Sequence, residues 1–239
     1  QFGEGNVKIL IWSQMHGNES TTTKGLIDYL NFLHHNENEF ETLSKLVTFY
    51  IIPILNPDGA AAYTRENANG VDLNRDAFEC TQPESKVLRT VLETFTPDYC
   101  FNLHDQRTIF GLLESQKPAT MSFLTASYNE AQTFNSVREE AAAVVVGINN
   151  ELQKYIPNQV GRFDDSFNIN CTGDYFTNRG YPTILFEAGH YANDYNRDEV
   201  RKFVFIALIT AISFINENDI VINDLGNYLN IYQNNKCFY

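Results

Sequence analysis

The sequence is poor in basic residues and has no long apolar run. Lysine and arginine number 17 against 30 aspartates and glutamates, which gives a formal net charge of −13. This deficit argues against a general affinity for nucleic acid or anionic membranes, because both attract basic surfaces. The longest apolar run, FVFIALITAISFI at 203–215, is too short to span a bilayer and predicts a buried helix. We therefore expect neither nucleic acid nor a membrane as a partner.

Cysteine pairs at metal-binding or redox spacing are also lacking. The four cysteines, Cys80, Cys100, Cys171 and Cys237, form no C-x-x-C motif, so a zinc site built from cysteines is not expected. We interpret them as ordinary thiols, although their even number leaves disulfides open. No signal peptide precedes the first strand, which slightly favours the cytoplasm. Secretion stays open, because the chain begins at Gln1 and a leader can have been removed.

Apolar and aromatic residues, by contrast, are plentiful, at 43% and 13% of 239 residues, enough for a substantial core. Nearly continuous apolar runs, typical of buried parallel strands, alternate with helical patterns. This alternation predicts an α/β sandwich with helices on both faces of a mostly parallel sheet, folded as a single domain over residues 1–239. The predicted strands are 7–12, 46–55, 98–103 and 181–188, and the predicted helices are 21–35, 84–95, 136–155 and 198–216. We interpret segments 56–83 and 156–180, rich in Asn, Asp, Gly, Thr and Pro, as long ordered loops, which are usually functional.

Candidate metal ligands follow the predicted strands. His16 and Glu19, in SQMHGNES, come just after the first strand, and His104, in FNLHDQR, ends another. Ligands of open α/β sheets bind at the carboxyl ends of strands. Two imidazoles and a carboxylate are a recurrent set for catalytic zinc, which keeps a fourth position open. The alternative is that they are ordinary polar residues at strand ends.

Further candidates surround this set. Glu187, in ILFEAGHY, ends another strand and is a candidate proton acceptor, or else a structural ion-pair partner. Arg65 and Arg75 lie in NPDGAAAYTRENANGVDLNRD (56–76) and can hold a carboxylate or polarise a carbonyl. The alternative is that they only stabilise the loop. Asp72 between them can orient a metal-bound histidine. Whether Asp105 and Arg107, beside His104, line the same pocket is left open.

In combination, these motifs carry a resemblance. HGNE, NPDG, R-x-N-x-x-G-V-D-L-N-R, NLH and FEAG occur in this order, and the sequence from about residue 8 to about 215 resembles the zinc carboxypeptidase family. The resemblance implies a three-layer sandwich around a mixed, twisted, mostly parallel sheet. It also implies a peptide substrate with a free C-terminal carboxylate.

The same resemblance assigns roles to individual residues. It places one zinc ion per chain on His16, Glu19 and His104, with Asp72 as the partner of the first histidine. Glu187 would be general base and acid, and Arg65 would polarise the scissile carbonyl. The pair that binds the terminal carboxylate would be Asn74 and Arg75.

The sequence also departs from the family pattern. Asn18 stands where an arginine is common before the zinc-binding glutamate, and the tyrosine that closes over the terminal residue has no match, since Ser166 or Phe167 falls near its place. The position that senses the terminal side chain falls at Gly173, so the preferred residue is left open, as is the oligomeric state. Two alternatives are a zinc amidohydrolase of small N-acyl amino acids, as in the aspartoacylase and succinylglutamate desuccinylase branch, and an inactive carboxylate-binding module.

Overall fold

The computed structural model of the protein describes residues 1–217 and 225–237. Helices and strands alternate along much of the chain. The strands are β1 Val7–Ser13, β2 Val47–Ile52, β3 Tyr99–Asp105, β4 Phe110–Leu112, β5 Lys117–Pro118, β6 Met121–Thr125, β7 Val160–Arg162, β8 Thr183–Ala188 and β9 Asn234–Lys236. The helices are α1 Thr21–His35, α2 Glu37–Leu46, α3 Pro57–Ala62, α4 Pro83–Phe95, α5 Ser136–Leu152, α6 Thr172–Asn178, α7 Asp198–Glu217 and α8 Leu225–Leu229, with a 3₁₀ turn at Leu73–Arg75.

A six-stranded sheet in the order β2-β1-β3-β8-β6-β7 forms the centre of the fold. Neighbouring strands are parallel except β6, which runs antiparallel to β8. A smaller antiparallel sheet, β5-β4-β9, brings residues 234–236 back onto the segment that follows β3. The large sheet is therefore mixed and mostly parallel, as predicted.

The two faces of the sheet pack against different helices. Alternate residues of a strand point to opposite faces, so Ile9 and Ile11 join the core layer that includes side chains of α1, α5 and α7. Leu10 and Trp12 join the other layer, with α4 and α6. Burying a side chain of this kind contributes about 1.5–3 kcal/mol. The expectation of helices on both faces is therefore confirmed.

The four predicted strands and the four predicted helices are all present, with small shifts at their ends. The prediction of plain loops at 56–83 and 156–180 is wrong in part, because the first contains α3 and the 3₁₀ turn and the second contains β7 and α6. Helix α3 forms where Asn56 caps it and Pro57 occupies its first turn. The assignment of residues 1–239 to a single domain stays a prediction. Within the described residues, no helix has both the length and the apolarity needed to cross a membrane.

Candidate active site

Three neighbouring strands, β1, β3 and β8, end at the same edge of the sheet and carry the candidate residues. His104 of β3 and Glu187 of β8 are register partners, so their side chains leave the same face of the sheet. His16 and Glu19 lie on the connection between β1 and α1, and β1 pairs with β3 on its other side. The parallel register therefore gathers residues that are far apart in sequence.

Two glycine-containing motifs pack against each other beside this edge. A Cβ atom added at Gly17 would lie 1.9 Å from the carbonyl carbon of Gly59, so only glycine fits there. Gly59 belongs to α3, and its amide donates to the Oδ1 of the capping residue Asn56 at 2.9 Å. The close contact between HGNE and NPDG holds the loop after α3 against the β1–α1 connection.

His16, Glu19 and His104 converge on one point. Their ligand atoms all lie within 4.8 Å of one another. The Oε1 of Glu19 lies 2.8 Å from the Nδ1 of His16, and its Oε2 lies 2.8 Å from the Nδ1 of His104. The structure thus brings the three predicted ligands together, and their role as metal ligands stays a prediction.

Asp72 and Arg65 extend the group from the loop 56–76. The Oδ1 of Asp72 lies 3.0 Å from the Nε2 of His16, the ring nitrogen that faces away from Glu19. Arg65 donates from Nε to the Oδ2 of Asp72 at 3.0 Å and from Nη1 to the Oε1 of Glu19 at 3.2 Å. Asp72 therefore orients both the imidazole and the guanidinium, as a carboxylate behind a metal-bound histidine does.

The helix that follows Glu19 is capped from a distant strand. Ser20, at the N-cap of α1, makes no side-chain capping bond. Instead Asp105 accepts the amides of Thr21 and Thr22 at 2.7 and 3.0 Å, while its own amide donates to Glu19 at 3.2 Å. Asp105 thus joins the end of β3 to the start of α1. This link helps to set the distance between His104 and Glu19.

The electrostatics of Glu19 and His104 favour the protonation states that metal binding needs. Those of His16 do not, because burial lowers its pKa but hydrogen bonds to Asp72 and Glu19 outweigh this effect and raise the pKa. Burial opposes ionisation of Glu19, but the charge of His104 and the hydrogen bonds to both imidazoles hold the pKa of Glu19 well below its ordinary range. Burial lowers the pKa of His104, and the charge of Glu19 only partly offsets this effect. A carboxylate and a neutral imidazole are the ligand forms of these residues.

The side chain of Glu187 is buried, and within the described residues its Oε2 has no hydrogen-bond partner. Burial raises its pKa well above the ordinary range, the charges of Glu19 and Asp105 raise it further, and those of Arg65 and Arg197 oppose the rise. A carboxyl group with a raised pKa in a cleft is suited to accept and return a proton.

Asn74 and Arg75 lie on the 3₁₀ turn and contact the start of α6. The amide of Thr172 donates to the Oδ1 of Asn74 at 2.9 Å, which fixes the side-chain orientation of Asn74 and leaves its Nδ2 as the free donor. Arg75 is exposed, and its Nη1 lies 3.1 Å from the Sγ of Cys171. Both side chains therefore keep donors for an anionic ligand.

A single cavity of about 1530 Å³ includes all of the predicted site residues except Asp72 in its lining. It also includes Asp105 and Arg107, which the sequence left open. Sequence reasoning missed Asn102 and Arg197, which line it as well. The Oδ1 of Asn102 is buried without a partner in the described part of the chain. The motif NLH held a signal for it, because Asn102 and His104 are two apart on one strand and share a face.

The cavity does not supply an obvious closing tyrosine. Ser166 and Phe167, near the place where the family pattern has one, both line it. Two tyrosines that the sequence did not single out, Tyr63 and Tyr195, also line it and are 72% and 99% exposed. Tyr175, which lies close to this part of the sequence, packs into the core beside α4 and does not line the cavity.

Comparison with known families decides the family of the chain. The model of the family described as zinc carboxypeptidase matches residues 2–158, more than half of the chain. The chain belongs to the zinc carboxypeptidase family. The set of two imidazoles and one carboxylate fits the zinc of this family, because zinc accepts nitrogen and oxygen ligands of this kind.

The alignments of this zinc carboxypeptidase family member with known relatives cover only part of each protein. Carboxypeptidase M of Mus musculus is 35% identical over 111 residues, which are 38% of this chain and 25% of that protein. The alignment thus spans about a quarter of the length of this curated relative.

Solved structures share the fold. A metallo-carboxypeptidase from Burkholderia cenocepacia matches 88% of this chain and 57% of its own, with a TM-score of 0.67 at 17% identity. A succinylglutamatedesuccinylase/aspartoacylase from Rhodobacter sphaeroides matches 88% of this chain and 56% of its own, with a TM-score of 0.55 at 14% identity. These likenesses confirm the predicted fold class.

Proposed function

We propose that the chain is a zinc-dependent carboxypeptidase that hydrolyses the C-terminal bond of a peptide. The observation that carries this proposal is that one cavity is lined both by a candidate metal centre with Glu187 beside it and by Asn74 and Arg75, whose side-chain donors form a candidate receptor for a carboxylate. An exopeptidase needs both, because it must recognise the chain end and attack the bond next to it.

His16, Glu19 and His104 would hold the zinc, one ion per chain. When bound, zinc supplies Lewis acidity, which lowers the pKa of water and polarises a carbonyl. Glu187 would take the proton of the attacking water on its carboxylate and return it to the leaving amine. The Oε2 of Glu187 is buried without a hydrogen-bond donor among the described residues. A carboxylate in such a place holds a proton firmly, so Glu187 would keep the proton until the amine departs.

Arg65 would stabilise the negative charge that develops on the scissile carbonyl oxygen. Asp72 and Glu19 each take one of its donors and fix the plane of the guanidinium, so the others are directed in advance. A preorganised donor of this kind contributes about 3–4 kcal/mol to catalysis. Asn74 and Arg75 would hold the terminal carboxylate through the Nδ2 of Asn74 and the guanidinium of Arg75.

The alternative is an amidohydrolase that acts on small N-acyl amino acids, and the fold alone does not separate the two, since a succinylglutamatedesuccinylase/aspartoacylase shares it. The size of the cavity favours the peptide. Sites for small ligands typically enclose about 300–1000 Å³, whereas this cavity measures about 1530 Å³.

A substrate panel tests the proposal. N-blocked di- and tripeptides and N-acetyl and N-succinyl amino acids are incubated with the zinc-loaded protein, and release of the terminal amino acid is followed. We expect higher kcat/KM for the peptides, loss of activity with a chelator and recovery with zinc. Glu187→Gln should retain zinc and lose nearly all turnover. Faster hydrolysis of the acyl amino acids would instead support the amidohydrolase.

A further inference from the structure

Positive charge is concentrated in the cavity of this acidic chain. Six of its 17 lysines and arginines line the cavity, against five of its 30 aspartates and glutamates. Two of those acids have structural or proposed metal-binding roles, since Asp105 caps α1 and Glu19 belongs to the candidate metal centre. The lining is therefore far less acidic than the chain as a whole, and clusters of its cations can attract an anionic ligand locally.

Three of these cations, Arg107, Arg197 and Lys236, come from separate segments and meet around residues 106–110. Arg197 donates from Nη2 to the carbonyl of Gln106 at 3.1 Å. Arg107 is the next residue, and its carbonyl accepts the amide of Phe110. Lys236 of β9 is the register partner of Phe110 in β4. We call these three side chains the basic rim.

The basic rim makes no close ion pair among the described residues, although the charge of Arg197 acts on Asp105 and Glu187 from a longer distance. No carboxylate forms an ion pair with any of its three members within residues 1–217 and 225–237. Arg197 is moreover held in place by a second bond, from Nη1 to the carbonyl of Ala188 at 3.0 Å, and its φ of 60° lies in the left-handed region. With no close ion pair inside the described chain, the three charges are available to an anionic ligand in the cavity.

The basic rim and the carboxylate receptor line the same cavity and connect to the candidate metal centre through two different branches of the contact network. From Arg75 and Asn74 the network runs through Asp72 to His16 and Glu19. From Glu19 it continues through the amide of Asp105 to Gln106 and the rim. A peptide with its terminal carboxylate at Arg75 and its scissile carbonyl at the metal would therefore extend its upstream residues toward the rim.

Resting on the proposed function, we propose that the basic rim selects peptides with an acidic side chain directly upstream of the scissile bond, at the penultimate residue. The rim is exposed at Arg107 and Lys236 and partly buried at Arg197, so each charge pair should change affinity by about a factor of two to five. Segment 225–237 then contributes to specificity, because β9 supplies Lys236. This strand is tied to the cavity by Asn234, whose Nδ2 donates to the Oε1 of Gln106 at 2.6 Å.

Binding tests the proposal independently of turnover. Isothermal titration of the zinc-loaded Glu187→Gln variant compares N-blocked tripeptides with Glu or Gln at the penultimate position and, separately, at the terminal one. The rim variant adds Arg107→Met and Lys236→Met, both at exposed positions, and leaves Arg197 unchanged because it ties the ends of β3 and β8. The matched control adds Lys45→Met and Lys86→Met, exposed cations that do not line the cavity.

We expect tighter binding of the peptide with penultimate Glu, by about fivefold or more at low salt, since two or more charges act together. The preference should disappear in the rim variant, persist in the control and weaken in high salt. Equal binding of the Glu and Gln peptides, no binding of any of them, a preference that survives in the rim variant, or a preference only for terminal Glu would overturn the proposal. Failure of the proposed function would appear separately, as no release of a terminal residue by the parent.

Discussion

At the scale of single residues, the roles that were predicted are those with a local sequence signal. His16, Glu19, His104 and Glu187 each stand at the end of an apolar run or just beyond it, and the parallel register brings three strand ends together. Arg197 had no such signal. Its position depends on carbonyls of residues 106 and 188, contacts that only the folded chain creates.

Glu187 should also affect stability in a way that depends on pH. Because burial raises its pKa in the folded state above the ordinary value of 4.5, the folded protein keeps this proton over a pH range in which the unfolded chain has lost it. Unfolding then releases a proton, so the free energy of unfolding falls as the pH rises above about 4.5, by up to about 1.4 kcal/mol per pH unit. The loss ends once the pH exceeds the pKa of Glu187 in the folded state.

Urea unfolding of the metal-free parent and Glu187→Gln between pH 4 and 8 measures this effect. The variant cannot ionise at this position, so its advantage over the parent should be smallest at pH 4 and should grow with pH. Glu114→Gln, at an exposed position, serves as the control and should follow the parent. A constant difference between Glu187→Gln and the parent over this range would show that Glu187 is not buried as described.

At the scale of helices and strands, the elements with clear apolar patterns were predicted and the polar ones were not. Helix α2 is only ten residues long and has no buried residue, and its apolar pattern is limited to Phe40, Leu43 and Leu46, too short a stripe to identify it beside the longer helices. Strand β9 consists of Asn234, Asn235 and Lys236, which give no strand pattern. It forms because β4 offers an unpaired edge, a tertiary contact that local sequence does not encode.

The cap on α1 links element stability to the candidate metal centre. Asp105→Ala should lower the free energy of unfolding by about 1–3 kcal/mol, because it leaves buried amides of Thr21 and Thr22 without an acceptor. It should also weaken zinc affinity by about tenfold or more, because Glu19 directly precedes the loosened helix end. Chemical unfolding and competition with a chromogenic chelator measure the two effects.

Asp164→Ala is the matched control for this prediction. Asp164 also lines the cavity, but it is exposed and bonds only to Ser166 within its own turn. Its removal should leave both stability and zinc affinity nearly unchanged. Equal behaviour of the two variants would contradict the role given to Asp105.

At the scale of the whole molecule, the sequence predicted the layers of the fold because its strands are continuous apolar runs and its long helices carry apolar stripes. It did not predict the shape of the cavity. The cavity is enclosed by the segments after β3, β8 and α8 as well as by the loop 56–76, and their meeting depends on long-range packing. The motifs therefore led to the proposed reaction, whereas the basic rim emerged only from the fold.

Recognition of a free chain end is the central claim, and one comparison tests it most directly. The parent is given the same N-blocked tripeptide as the free acid and as the C-terminal amide, and kcat/KM is measured for each. We predict that the amide is not cleaved measurably, because Asn74 and Arg75 then lack their anionic partner. Arg75→Met should lower kcat/KM for the free acid, with a loss of transition-state stabilisation of about 1.5–3 kcal/mol, as for a hydrogen bond to a charged group. The zinc content should be unchanged. Equal cleavage of acid and amide by the parent would contradict the carboxypeptidase account, even with zinc bound as proposed.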